Sequence, residues 1–345
     1  MVELLSMPNP DPNSKTITKE RPSHLSFPVA WEHVASDGAG RYITRVIHRL
    51  PGDVLHVWTS RRHRKRRGGR IVKATEAVVS EDPSMTHSIP MRHATFRYWG
   101  WAMQRLTWWI GVIFILGSIC FVLGTVPMAY EGVAKLLGWS GHVLNSICFT
   151  GSVFFTIGSY LLLLEAVNID LDLRLEMRAR KLEHFLEGEK FEIPGRKPLR
   201  FWGWAWGRID YQIAIVQLTG ALIFNINTGM ALVSGLDWIQ TDAWVWTPST
   251  LASICFVTAA YLGIVEVCHR WWAWQPRDVS WWINLFGLLG ALGFLISSIF
   301  GFFAQGPILL PQWLGNIFAL MMGSWFFLIG TYLLIPEMFL EDEQL

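Results

Sequence analysis

The chain has 345 residues, of which 52% are hydrophobic, 14% aromatic and only 16% charged, and its formal net charge is +2. That balance is too apolar and too poor in charge for an ordinary soluble domain, and it points to a bilayer as solvent. Four cysteines, Cys120, Cys148, Cys255 and Cys268, fall within or at the ends of apolar runs, with no CxxC pair and no histidine at ligand spacing. They read as small packing residues, which argues against a disulfide frame and against a metal site.

Residues 1–96 come first and contain no window long enough to span a membrane. The opening MVELLSMPNPDPNSK lacks the basic segment and apolar run of a cleavable signal, so the expectation is a cytoplasmic start. This segment carries half of the 16 prolines and the run RRHRKRRGGR, in which Arg61, Arg62, Arg64, Lys65, Arg66, Arg67 and Arg70 are basic. It reads as a basic, weakly ordered arm whose cations rest on anionic lipid headgroups, each worth roughly 1 kcal/mol near the surface. Lipid is favoured over nucleic acid as its partner. The stretch RYITRVIHRLPGDVLHVW is expected to form at most a hairpin or short helix around Pro51-Gly52.

Six apolar windows follow, at 108–128, 144–165, 211–232, 249–267, 281–303 and 314–336. A hydrocarbon core of about 30 Å takes roughly 20 such residues. The loops on one side hold 28 Lys/Arg and those on the other hold only Lys135. The positive-inside rule then places both termini in the cytoplasm of a multi-pass cell (inner) membrane protein.

The windows repeat in pairs. RYWGWAMQR (Arg97 to Arg105), RFWGWAWGR (Arg200 to Arg208) and RWWAWQPR (Arg270 to Arg277) precede the odd-numbered spans, each an interfacial belt of Trp and Arg. The odd spans share G-[SA]-x-x-F-x-x-x-[ST], as in GSICFVLGT, GALIFNINT and GALGFLISS. The even spans share [GA]-S-x-x-F-x-x-[GA]-[STA]-Y-L-x-x-x-E, as in GSVFFTIGSYLLLLE, ASICFVTAAYLGIVE and GSWFFLIGTYLLIPE. The organisation expected is an arm (1–96), a first hairpin (97–168), an amphipathic connector (169–199), a second hairpin (200–268), and a third hairpin with an acidic tail (269–345). The fold class is an all-α membrane protein of six transmembrane helices in three parallel hairpin repeats. A pseudo-threefold bundle is the natural closed assembly, with a row of hairpins as the open alternative.

The even-span motif resembles the hairpin of the YrhK-like domain found in small bacterial membrane proteins. The first and third hairpins match it best, and the second has Ala252 and Ala259 where the motif has glycine. The resemblance implies a bacterial membrane location and brings no established activity.

The sharpest feature is the acid that ends each even span: Glu165, Glu266 and Glu337. Each stands seven and fourteen residues after a small residue, so it shares their stripe and faces other helices. The dipole at a helix C-terminus disfavours an anion, so a cationic partner is expected. Arg105 lies about 18 Å before Gly117 along its helix and Glu165 about 21 Å after Gly151, which puts the two at one level. The belt arginines Arg97, Arg105, Arg200, Arg208, Arg270 and Arg277 are therefore the candidate partners. In one reading the acids lock the hairpins; in a second they bind a cation or relay protons, and at least one carboxyl would then have a raised pKa; in a third they are solvated helix ends with no particular role.

Gln217, Asn225 and Asn227, with Thr125, Thr228 and Ser298, are read as interhelical hydrogen-bonding groups ahead of a polar path. Pro336 is expected to bend or end the last helix. There is no phosphate-binding loop, HExxH, GxSxG or metal-spaced Cys/His set, so neither an enzyme nor a cofactor is expected. The functional expectation is a membrane scaffold or interaction protein whose arm binds anionic lipid, a cytoplasmic protein or a second copy. The alternative is a small-ion or proton channel or transporter using the three glutamates.

Overall fold

A computed structural model describes residues 31–50, 54–65, 69–73, 98–168, 199–303 and 312–340. The connector expected at 169–199 falls almost wholly outside the described residues, as does the acidic tail. Six helices are long and apolar enough to cross a membrane: Leu106–Ala129, Gly141–Val167, Ile209–Met230, Trp238–Cys268, Val279–Gly301 and Trp313–Phe339. The shortest has 22 residues, about 33 Å of helix, enough for the hydrocarbon core. The chain is a polytopic membrane protein.

Consecutive spans pack as pairs, the first with the second, the third with the fourth and the fifth with the sixth. The second also packs on the third, the fourth on the fifth, and the sixth on the first, so the neighbour order closes into a ring. Phenylalanines fill its interior. Phe121, Phe224 and Phe294, one from each odd span, form a triangle with centroids 5.6–5.7 Å apart. Phe155, Phe256 and Phe327 from the even spans pack around them. Edge-to-face contacts dominate this cluster, and each such pair adds about 0.5–1.5 kcal/mol beyond its buried area.

The small residues bring the helices of each pair together. Gly293 meets backbone rather than side chains: a Cβ there would lie 2.8 Å from the Ala319 carbonyl oxygen and 2.8 Å from the Gly323 Cα. Hydroxyls link one pair to the next. Ser152 meets Thr228 at 2.8 Å, Ser249 meets Ser298 at 2.7 Å, and Thr125 donates to Ser324 at 3.3 Å. Asn225 donates to Thr156 at 2.7 Å. Asn227 donates to the Val245 carbonyl at 2.8 Å, where the fourth span makes a π-helical turn over Asp242–Trp246. These polar side chains thus join helix to helix. The last span is interrupted at Leu333. Pro336 lacks the N–H that would bond Tyr332, which accounts for the expected bend.

The arm departs from expectation, because the molecule is not all-α. Strands β1 (Glu32–Ala39), β2 (Tyr42–Leu50), β3 (Val54–Thr59) and β4 (Arg70–Lys73) form an antiparallel sheet in the order β1-β2-β3-β4. A five-residue helix, α1 (Ser60–Arg64), follows β3. The hairpin expected about Pro51-Gly52 is the β2–β3 pair, with Leu50 opposite Val54. Gly40 turns β1 into β2 at φ +56°, a conformation that glycine adopts at low cost. The sheet escapes a hydropathy reading because the buried positions of β2 are Tyr42, Thr44, Arg45, Val46 and His48, an alternation broken by Arg45 and written largely in polar residues. Trp31, His48 and His56 pack together on it.

Two predictions follow from this packing. Gly293→Ala is expected to lower stability by about 1–3 kcal/mol, because backbone cannot move aside for the added methyl, and a thermal melt in detergent would read this as a lower midpoint. Burial pushes the His56 imidazole down to about 4. The folded form therefore holds fewer protons than the unfolded one between that value and about 6.5, so the sheet loses about 2 kcal/mol on going from pH 7 to pH 5. Amide exchange in β2 and β3, corrected for intrinsic rate, should rise over that interval, and His56→Phe should abolish the rise.

Candidate functional site

The even spans end at one face of the ring, and their acids point inward there. Glu165, Glu266 and Glu337 are only 3%, 0% and 2% exposed. A hydroxyl from the start of the same hairpin's odd span holds two of them, Thr107 donating to Glu165 and Ser280 to Glu337, each at 2.5 Å. These fix geometry without neutralising charge. Burial of an ion without a counter-ion costs several kcal/mol, so cations must be supplied.

The arm supplies them. Helix α1 sits over the three acids, its first turn capped by Thr59, which accepts from the Arg62 N–H at 3.4 Å. Ser60 donates to Glu266 at 2.8 Å. Arg61 reaches Glu337 through Nε at 2.9 Å and a terminal nitrogen at 2.8 Å, and Lys65 donates to the other Glu337 oxygen. Arg64 lies between Glu266 at 3.3 Å and Glu165 at 3.8 Å. Positions 61, 64 and 65 share one side of this short turn, which lets Ser60, Arg61, Arg64 and Lys65 address three helices. Among the described residues, three cations thus face the three carboxylates.

Among the described residues, the sheet adds uncharged contacts on the second hairpin and the belt after it. Tyr42 donates to Gln212 at 2.5 Å, the His269 Nδ1 meets the Thr44 hydroxyl at 2.8 Å, and Gly40 faces Trp271. Ala39 and Tyr42 bury against Ile209, Ile213 and Val265.

Two expectations are corrected here. Arg61, Arg64 and Lys65 were assigned to lipid headgroups, yet they are 9%, 4% and 8% exposed and paired with the acids. Arg62 is half-buried, Arg70 begins β4, and Arg66 and Arg67 fall outside the described residues. The belt arginines were assigned to the acids, but those that can be placed stand elsewhere. Arg208 pairs with Asp210 and donates to the Ala166 carbonyl at 2.9 Å. Arg200 engages Asn168 through its own backbone. Arg105, Arg200, Arg270 and Arg277 are exposed, and Arg97 falls outside the described residues. The acids and the belts share a level along the axis but not a direction around the helices: the acids face in, whereas the exposed arginines stand at the rim.

The belts are fastened by another route. Tyr160 donates to the Phe201 carbonyl at 3.4 Å, Tyr261 to Trp271 at 3.2 Å and Tyr332 to Tyr98 at 3.0 Å, each reaching the next hairpin round the ring. Sequence reasoning missed Ser60, Thr107 and Ser280. The last two stand at one repeat position, two residues inside their odd spans, and that shared position is the signal that could have found them. Among the described residues, no group of His, Cys, Asp or Glu is placed to hold a metal ion.

Fold and site together define a polytopic helical membrane protein with a small β-sheet seated on one end. Comparison with protein-family models, with curated proteins and with solved structures finds no match.

Losing one partner of a buried pair costs about 3–5 kcal/mol through the charge left behind. Glu337, with Arg61 and Lys65 on it, should matter more than Glu266, which Arg64 meets at 3.3 Å. Hydrogen exchange across α1 and β3 is expected to speed up more in Glu337→Gln than in Glu266→Gln.

Proposed function

We propose that the chain is a non-enzymatic membrane scaffold, built from three copies of one hairpin about a pseudo-threefold axis, that holds its own basic arm as a fixed platform at one membrane face. The observation carrying this reading is the seating of Arg61, Arg64 and Lys65 on Glu337, Glu266 and Glu165. Charges used to anchor a folded element are not free to carry a mobile ion. The Phe121–Phe224–Phe294 triangle, one ring from each odd span, also supports it, because it fills the position an axial path would need. The equivalent Tyr-to-belt contacts of the three hairpins support the threefold arrangement.

The 28-to-1 split of basic residues supports a cytoplasmic face for the platform, in a cell (inner) membrane. The YrhK-like resemblance of the hairpin belongs to this same reading. The sheet is then the surface offered to a cytoplasmic protein or a second copy.

Proteoliposomes carrying the intact chain, assayed with pH-sensitive and potassium-sensitive dyes, should show no flux above protein-free vesicles. Flux in the intact chain that disappears with Glu165→Gln would overturn the scaffold reading in favour of transport.

A further inference from the structure

A threefold ring, which is the reading taken above, offers an asymmetric arm three nearly equivalent seats, yet the arm occupies one. We infer that Asp210 and Gln212 of the second hairpin select that seat. They are two of the residues at which the second hairpin departs from the other two where the arm lands; His269, which meets Thr44, is a third.

The first position is Thr107, Asp210 and Ser280 in the three hairpins. Thr107 and Ser280 each give a hydroxyl hydrogen to their own glutamate. Asp210 has no proton to give and is occupied by Arg208 at 3.1 and 2.5 Å. Glu266 therefore lacks the hydroxyl that its counterparts receive from within the bundle. Ser60 of the arm provides one, at 2.8 Å. At the other two glutamates that role is already filled.

The second position is Trp109, Gln212 and Trp282. The indoles of Trp109 and Trp282 donate to the Met103 and Pro276 carbonyls at 2.9 and 2.8 Å. Gln212 makes the corresponding bond, its Nε2 donating to the Trp206 carbonyl at 2.5 Å. An indole has one donor and nothing further to offer, whereas an amide also has an oxygen. That oxygen accepts from Tyr42 at 2.5 Å. The same substitution replaces a large ring with a smaller side chain beside the point where Ala39 and Tyr42 bury. Asp210 thus creates an unfilled demand for a hydroxyl at Glu266, and Gln212 offers an acceptor to the sheet. The two keys lie on one turn of one helix.

The test measures the arm's rotational position by pulsed electron paramagnetic resonance on the full chain. Nitroxides are carried by encoded non-natural residues at Arg49 in the sheet and Lys135 beyond the far end of the first span, which leaves the native cysteines in place. The intact chain should give one discrete distance. Asp210→Ser with Gln212→Trp removes both keys, and Thr107→Asp with Trp109→Gln installs them in the first hairpin while the second stays intact. A second discrete distance in either variant, absent from the parent, is the expected result. One unchanged distance in both variants, or a featureless broadening in both, overturns the inference. Absence of any discrete distance in the intact chain would instead sink the docked platform itself, so the two failures are distinguishable.

Discussion

Three carboxylates removed from water at the ends of three helices set the terms for the rest of this molecule. Glu165 and Glu266 lie in the last turn of their helices, where the dipole is unfavourable to an anion, and none of the three is solvated well enough to carry its charge unaided. The cations that answer them come from more than 200 residues away in two of the three cases. That need accounts for features that otherwise look unconnected: a five-residue helix rich in arginine, a sheet that fixes where that helix projects, and a ring of spans that leaves one end open to receive it. Such a cluster is better regarded as a device for specificity than as a source of net stability, because desolvation offsets much of the Coulombic attraction.

Beneath that charged layer the bundle relies on shape. In a membrane, lipid competes with side chains for apolar contact, so helices associate through close backbone approach, well-fitted rings and hydroxyl bridges. All three occur in successive layers: glycine contact within each pair, the phenylalanine triangle at the centre, and Ser/Thr pairs between neighbouring hairpins. The two layers divide the work. Apolar packing forms the ring, and the ionic layer gives one of its faces an identity.

The sequence disclosed these layers unequally. The spans were readable because a helix imposes a period and a bilayer imposes a length, and the Gly, Phe and Ser/Thr residues picked out by their offsets lie at contacts between helices. The inward aim of the acids followed from their seven-residue spacing to small residues. The sheet was hidden because its buried face uses Thr44, His48 and His56, polar groups that hydropathy counts as exposed. The partners of the acids were misassigned because rise along a helix fixes depth in the membrane but says nothing of a distant segment folding back over the bundle. Ser60 could not have been picked out from its neighbours before the contacts of Glu266 were known.

The tyrosines that tie each hairpin to the next also bear on how the protein is made. The contact from Tyr332 to Tyr98 joins the last span to the belt before the first. During synthesis the early hairpins enter the bilayer with one flank bare, and the ring cannot close until the final helix leaves the ribosome. A chain stalled before that helix keeps two hairpins but has no third acid for Arg61 and Lys65, and its first span, packed only on the second, is bare on the flank that the sixth covers. Arrival of the sixth span therefore closes the ring and completes the charged face in one event.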